Sequence, residues 1–164
     1  MQLGYMKLLY FEMLFESCKS SIYPLVRVKI LKMKALLSIK PEFVDKIFSG
    51  EKLFEYRKAI FKRPEVKSIV IYSTMPEGKI VGEFTIGNIL AKHPDELWEE
   101  TKEAAGINKE FFDEYFDKKD VAYAIQIENL IKYANPIDPY EEERGFKAPQ
   151  SFKYLDPSSV LYFN

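Results

Sequence analysis

The chain has 164 residues, which is enough for one hydrophobic core and short for two. Hydrophobic residues make up 47% and charged residues 30% of the sequence, a composition typical of a folded globular protein and not of a disordered or fibrous one. The formal net charge of -1 argues against a uniformly basic, nucleic-acid-coating surface.

The charges are nevertheless distributed unevenly along the chain. Residues 52–67 hold six basic and two acidic side chains, whereas residues 95–120 hold ten acidic side chains and four lysines. A local basic patch of this kind attracts phosphate, although two ordinary solvated surfaces explain the same counts.

The single cysteine and the N-terminal residues indicate the cellular compartment. Cys18 is the single cysteine, so an internal disulfide is impossible and we expect a reducing, cytoplasmic setting. The apolar opening is interrupted by Glu12 and Glu16, and no small-residue cleavage site follows it. It is also too short and too charged to span a bilayer, so we expect no membrane role.

The sequence pattern changes at Met33. Residues 1–32 carry apolar side chains without a clean period, and we expect a peripheral extension that is either an upstream reading artefact or a loosely attached helix. We expect Met33 to be the native start and residues 33–164 to form one domain.

Regular elements begin directly after this point. Residues 34–39 form a short apolar run typical of a buried strand. Pro41 suits a first helical position and Gly50 suits a helix end, which predicts a helix of about three turns. Residues 53–57 then alternate in polarity as a strand does.

The middle of the chain predicts two strands and a helix. Strands are expected over residues 68–73 and 79–90, with Gly82 and Gly87 as bends or bulges that help to close a barrel. A helix is expected over residues 93–106, because acidic side chains occupy its first turn.

The last third continues with a helix and strands. Asn108 can cap a helix whose aromatic stripe, within residues 111–116, is typical of a core-facing surface. Strict alternation over residues 121–128 predicts a strand. Residues 148–154 are expected to form an ordered loop, and residues 160–163 a last short strand.

Several kinds of site are excluded by residue type. A Cys/His zinc site needs about four ligands, and the chain has one cysteine and one histidine. His93 precedes a proline at a helix entry, where capping is its expected role. Walker A, dinucleotide-binding and EF-hand patterns are absent from the sequence. A carboxylate-only magnesium site stays open, and we expect no cofactor.

One group of charged residues remains. Glu55 and Arg57 are two apart on a predicted strand, so they project from the same face roughly 7 Å apart, and Lys52 enters from the preceding turn. The arginine offers a planar fork of donors for a phosphate or a base edge, and a partly buried lysine can act as a general base. Spacing alone favours an ordinary surface ion pair.

Residues 50–57, GEKLFEYR, resemble the G-x-K-x-x-E-x-R motif of ASCH domains, a branch of the PUA-like superfamily. The resemblance extends to the lead-in over residues 38–52, to residues 81–84 and, more loosely, to residues 148–154. It implies an α+β fold, a small PUA-like β-barrel with flanking helices, and a cleft lined by the motif.

The resemblance also implies a role connected with RNA, either as a binding module linked to transcription, translation or RNA metabolism, or as an enzyme on modified nucleosides. The branch that deacetylates acetylated cytidine uses a lysine, a threonine nucleophile and a glutamate. Lys52 and Glu83 match the first and last, but Glu55 stands where that branch has threonine, and a carboxylate replaces a hydroxyl nucleophile poorly. We therefore rank binding above catalysis.

We therefore expect the following partner and site residues. The partner is RNA or a nucleoside-like ligand, with the oligomeric state open. The ligand-binding candidates are Lys40, Lys52, Glu55, Arg57, Tyr72, Tyr123 and Ser151. The alternative is a small hydrolase, an amidohydrolase or a ribonuclease, whose catalytic candidates are Lys52, Glu55 and Glu83. A third possibility is an interaction domain that docks a partner through residues 111–116 or 1–32.

Overall fold

The computed structural model describes residues 33–162, so the predictions for residues 1–32 lie outside the described residues. This part of the chain combines a six-stranded mixed sheet with short helices, an α+β arrangement. The strands are β1 (Met33–Ile39), β2 (Phe54–Arg57), β3 (Val66–Ser73), β4 (Lys79–Lys92), β5 (Ala122–Ile137) and β6 (Phe152–Leu155). The helices are α1 (Pro41–Ser49), α2 (Pro94–Thr101), α3 (Lys109–Tyr115) and α4 (Pro139–Glu142), with a 3₁₀ turn at Lys102–Ala104. Across residues 33–162, no helix has the length and apolar character needed to cross a membrane.

The sheet has the strand order β2-β5-β4-β3-β1-β6. β1 is parallel to β3, and the other neighbouring strands are antiparallel. Among the described residues β2 and β6 are the two edges and do not pair with each other, so the sheet is not closed and the predicted barrel is not confirmed. The bends expected at Gly82 and Gly87 are present as register shifts between β4 and β5. A Cβ atom at Gly82 would lie 2.3 Å from the carbonyl oxygen of Ile131, which is why this bulge requires glycine.

The interior strand β1, which lies between β3 and the edge strand β6, is buried on both faces, which explains its continuous apolar sequence. Leu37 and Ile39 pack in a first hydrophobic cluster with Val44 and Ile47 of α1. Leu36, on the other face, belongs to a second cluster that includes residues of β3, β4 and β6. One strand therefore supports two separate regions of the core.

A third hydrophobic cluster lies beneath α2 and α3. Phe112 and Phe116 are buried there against Tyr56 of β2, with Leu97 of α2 in the same cluster. The expectation that the stripe within residues 111–116 faces the core is correct for these two aromatic residues. This cluster brings α3 alongside β2, the strand that carries the predicted motif.

The C-terminal predictions need correction. β6 lies at Phe152–Leu155 and begins inside the segment 148–154 that was predicted to be a loop, because these residues pair with the free edge of β1. Residues 157–161 form turns, so the strand predicted at 160–163 is not found in its described part. β5 also continues to Ile137, beyond the predicted end, because its second half pairs with the first half of β4.

Candidate functional site

A cavity of about 290 Å³ lies where α1, β2 and α3 meet. Its charged lining residues are Lys40, Lys52, Glu55 and Arg57, and its aromatic lining residues are Phe43, Tyr56, Phe111 and Tyr115. The structure therefore brings the lysine, glutamate and arginine of the motif into one cavity. A cavity of this size is close to the lower end of the roughly 300–1,000 Å³ range of small-molecule sites.

The turn after α1 places Lys52. Gly50 ends the helix with φ of 83°, a left-handed conformation that glycine adopts without strain, as the sequence predicts. The chain then reverses, and the backbone N–H of Lys52 donates to the carbonyl oxygen of Lys46 at 2.9 Å. Gly106 packs directly against this residue, since a Cβ atom there would lie 2.6 Å from the Cβ of Lys52.

The ammonium group of Lys52 is almost completely shielded from solvent, with 3% of the side chain exposed. Its Nζ atom donates to the carbonyl oxygen of Ala105 at 3.4 Å and lies 3.8 Å from the nearer carboxylate oxygen of Glu55. It also lies 4.4 Å from the ring centroid of Tyr56. Burial lowers the pKa of Lys52 from its ordinary value, and the Glu55 carboxylate opposes this shift.

Glu55 stands between the two cations of the motif. One carboxylate oxygen lies 3.8 Å from Nζ of Lys52, and the other lies 3.6 Å from Nη1 of Arg57. Both distances exceed that of a strong charge-assisted hydrogen bond. The carboxylate is therefore buried and charge-compensated, and it lines the cavity without a short bond to either cation.

Arg57 uses its donors on the backbone. Nη1 donates to the carbonyl oxygen of Ser38 at 3.2 Å, and Nη2 donates to the carbonyl oxygen of Ser151 at 2.7 Å and to its Oγ at 3.1 Å. The hydroxyl of Ser38 donates to the carbonyl oxygen of Pro149 at 2.6 Å. These bonds fix residues 147–151, which we call the strap, beside the cavity. Arg57 thus holds the wall of the site, and the ligand binding expected of it from the sequence stays a prediction.

Aromatic side chains that were not among the predicted ligand-binding residues form one wall of the cavity. Phe111 and Tyr115 lie one turn apart on α3 with nearly parallel rings, whose centroids are 6.5 Å apart at an angle of 6°. Phe43 of α1 meets Phe111 edge to face at 5.3 Å. The stripe of α3 is therefore divided, because Phe112 and Phe116 face the core while Phe111 and Tyr115 face the cavity.

Tyr56 forms the floor under Lys52. Its hydroxyl donates to Oγ1 of Thr101 at 2.8 Å, and Thr101 in turn donates to the carbonyl oxygen of Leu97 at 2.7 Å. Burial raises the pKa of Tyr56 to about 12, so this tyrosine stays neutral at physiological pH. The sequence offered no signal for this role beyond the strand alternation.

Glu83 and Tyr72 lie elsewhere in the structure. Glu83 pairs across the sheet with Val70 of the second cluster and binds Nζ of Lys34 at 2.5 Å, whereas Glu55 pairs with Ile125 of the first cluster. Cross-strand partners share a face, so Glu83 and Glu55 project from opposite faces of the sheet. Tyr72 is 1% exposed and packs against Phe146.

The remaining candidates have different positions. Lys40 lines the cavity and is itself exposed, and Ser151 contributes through its bonds to Arg57. Tyr123 is the cross-strand partner of Arg57 but is not part of the cavity lining. His93 caps α2 by accepting a hydrogen bond from the backbone N–H of Asp95 at 3.4 Å. Within residues 33–162, no group of three or more His, Cys, Asp or Glu side chains is placed to hold a metal ion.

Comparison with protein families and solved structures places this geometry in context. The family profile described as "ASCH domain" matches residues 37–131, more than half of the chain. The chain is 28% identical, over 127 residues, to a Zymomonas mobilis protein named "ASCH domain-containing ribonuclease", with 76% of this chain and 85% of that protein covered. The crystal structure of ASCH from Zymomonas mobilis superposes with a TM-score of 0.69 at 28% identity, covering 74% of this chain and 87% of that one.

Another similarity is confined to part of a longer protein. The chain is 32% identical over 91 residues to large ribosomal subunit protein uL22 of Ureaplasma parvum, which covers 56% of this chain. The match spans 29% of that protein's length.

Proposed function

The chain belongs to the ASCH domain family, and from this premise we propose that it acts on RNA by taking one unpaired nucleotide into the cavity beside Lys52. Residues 37–131 carry the family match, and they include all the motif residues that line the cavity. The uL22 similarity covers too little of that ribosomal protein for its function to apply here. We propose RNA metabolism in the cytoplasm as the setting.

One observation carries the proposal: a buried lysine and a buried carboxylate line a cavity that has an aromatic wall. Phe43, Phe111 and Tyr115 offer ring faces and edges against which a base can stack. Lys52 and Glu55 supply a donor and an acceptor for polar atoms of the same nucleotide. The exposed Lys40 at the cavity adds positive charge that favours phosphate.

A binding titration tests this function. Fluorescence anisotropy with a short labelled single-stranded RNA should show binding by the native chain, and Lys52→Met should weaken it by at least about tenfold, because it removes the buried charge while keeping the side-chain length. Lys102→Met, an exposed lysine outside the cavity lining, is the control and should bind like the native chain. Equal affinity of the Lys52 variant and the native chain, with both folded by circular dichroism, contradicts the proposal.

RNA hydrolysis is the second candidate function, and it is favoured by the lowered pKa of Lys52 and by the ribonuclease name of the Zymomonas relative. A neutral Lys52 amine can accept the proton of a ribose 2′-hydroxyl, whose oxygen then attacks the adjacent phosphorus. The 5′-oxygen leaves and takes up a proton, giving a 2′,3′-cyclic phosphate and a 5′-hydroxyl end. Glu55 would hold the lysine in place, since Glu83 lies on the opposite face of the sheet.

Product analysis decides between binding and hydrolysis. End-labelled RNA incubated with the native chain should yield cyclic-phosphate ends that are lost with Lys52→Met if the chain is a ribonuclease. Acetylated nucleosides in a parallel incubation test the amidohydrolase alternative, which also depends on Lys52. RNA cleavage that persists unchanged in the Lys52 variant contradicts this catalytic site.

A further inference from the structure

Beside the cavity, residues 58–67 form a basic segment that the proposed nucleotide site does not use. Its four cations are exposed: Lys58, Lys62, Arg63 and Lys67. We propose that the backbone of a single-stranded RNA runs along this segment as it leaves the cavity, so that the partner is a strand of several nucleotides and not a free mononucleotide. This inference rests on the proposed function.

The segment is continuous with the cavity. Lys58 directly follows Arg57, which lines the cavity, and its Nζ lies 4.8 Å from the ring centroid of Tyr115, another lining residue. A phosphate attached to a nucleotide stacked near Tyr115 would therefore meet Lys58 first. The positive charge at the cavity edge does not end at the site but extends away from it.

The segment then crosses toward β6. The backbone N–H of Lys62 donates to the hydroxyl of Tyr154 at 3.1 Å, and the guanidinium of Arg63 lies 4.5 Å from the ring centroid of Tyr154. An arginine held over an aromatic ring presents a flat cationic surface on which a base can stack. The segment thus offers both charge and a stacking surface beyond the first nucleotide.

Ion pairing distinguishes the cations of this segment from the lysines near the acidic residues 95–120. None of its four cations forms an ion pair with another residue of the described range 33–162. Lys92, Lys102 and Lys109, by contrast, are each paired with a nearby carboxylate. Positive charge that is not neutralised locally is the kind that phosphates can bind with release of counterions.

The experiment compares ligand length and salt dependence in two charge-matched variants. The triple variant Lys58→Ala, Lys62→Ala, Arg63→Ala removes three of the segment's four cations, and the control Lys92→Ala, Lys102→Ala, Lys109→Ala removes three ion-paired cations near the acidic residues 95–120. Uridine and adenosine monophosphates, titrated by NMR, report on the cavity. Labelled uridine and adenosine hexanucleotides, titrated by anisotropy between 50 and 200 mM salt, report on the path.

We expect the native chain to bind a hexanucleotide more tightly than a mononucleotide. The segment variant should keep mononucleotide affinity within about twofold, lose roughly tenfold or more in hexanucleotide affinity, and lose about two units from the slope of log affinity against log salt, at about 0.7 per phosphate contact. The control variant should change neither.

The outcomes separate the two proposals. If the segment variant does not differ from the native chain in hexanucleotide affinity and salt slope while it still binds mononucleotides, that result overturns the proposed RNA path along residues 58–67 and leaves the cavity proposal standing. Equal competition by duplex RNA overturns the single-stranded partner. Absence of both mononucleotide and hexanucleotide binding by the native chain overturns both proposals.

Discussion

Nη2 of Arg57 donates to the carbonyl oxygen of Ser151 at 2.7 Å, and this bond ties one edge strand of the sheet to the segment that leads into the opposite edge strand. The sheet is not closed by backbone pairing between β2 and β6. A side chain instead spans the interval between these strands, beside the cavity. The guanidinium of Arg57 and the hydroxyl of Ser38, which donates to Pro149, together hold this wall of the cavity.

Replacing Arg57 tests its part in holding the wall. Arg57→Lys should lower the free energy of unfolding by about 2 kcal/mol, because one ammonium cannot reach both backbone carbonyls that the guanidinium bonds. Hydrogen exchange should accelerate in the strap and in β6. Lys119→Ala, at an exposed position away from β6, is the control and should change stability by less than about 0.5 kcal/mol. Native exchange rates in the strap of the Arg57 variant would show that other contacts hold it.

The pH dependence of stability should report on the buried Lys52. Burial lowers its pKa in the folded chain below the ordinary 10.5, so between these two values the unfolded chain binds more protons and Lys52 makes stability rise with pH. In Lys52→Met this contribution is absent. The stability of the variant relative to the native chain should therefore fall as pH rises toward 10.5, measured by urea unfolding at several pH values.

Lys102 provides a control of opposite sign for this measurement. Its hydrogen bond to Glu99 raises its pKa, so the stability that Lys102 contributes is lost as pH rises through that pKa. The relative stability of Lys102→Met should accordingly stay nearly level up to pH 10.5 and rise slightly only above that pH, since this side chain is exposed. The same trend in both variants would contradict the assigned environment of Lys52.

Alanine substitution at two glycines with positive φ distinguishes the cost of backbone strain from the cost of steric crowding. Gly106 has φ of +64° and Gly145 has φ of +82°, but a Cβ at Gly106 would meet Lys52 whereas a Cβ at Gly145 would meet nothing within 4 Å. Gly145→Ala should cost about 1 kcal/mol from the left-handed conformation alone. Gly106→Ala should cost about 1–3 kcal/mol more and weaken RNA binding, because it displaces Lys52. Equal unfolding free energies for the two variants would show that Lys52 yields freely.

Substitution of Glu83 should change the stability of the fold, whereas substitution of Glu55 should change nucleotide affinity. Glu83→Gln weakens the ion pair with Lys34 and should lower the free energy of unfolding by about 1–3 kcal/mol without changing nucleotide affinity. Glu55→Gln should weaken nucleotide binding, because Glu55 lines the cavity. Parallel urea unfolding and binding titrations check both expectations. A loss of nucleotide affinity in the Glu83 variant would contradict its placement away from the site.

The part of the site that is local in sequence was predictable. Pro41 and Gly50 bound α1 as expected, because a proline at the helix start and a left-handed glycine at its end are short-range signals. Lys52, Glu55 and Arg57 then follow at fixed offsets on a turn and a strand. Strand alternation was sufficient to predict that Glu55 and Arg57 share a face.

The parts that depend on long-range pairing were not predictable. The face on which Glu83 lies follows from register shifts around Gly82, and a shift of one residue reverses the face of a strand. Helical periodicity groups Phe111 with Phe112, but it does not tell which of them meets α1 and which meets β2. Closure of the sheet likewise depends on which strands become edges, and no local pattern encodes that order.

The placement of β2 at a sheet edge has a consequence for synthesis of the chain. Among the strands of residues 33–162, β2 pairs with β5 alone, Phe54 opposite Gln126, so within this range the strand that carries Glu55 and Arg57 has no backbone partner until β5 has left the ribosome. A nascent chain or proteolytic fragment that stops before β5 contains the whole G-x-K-x-x-E-x-R sequence and yet lacks the neighbour that orients it. Detection of the motif in a fragment is therefore no sign of a working pocket.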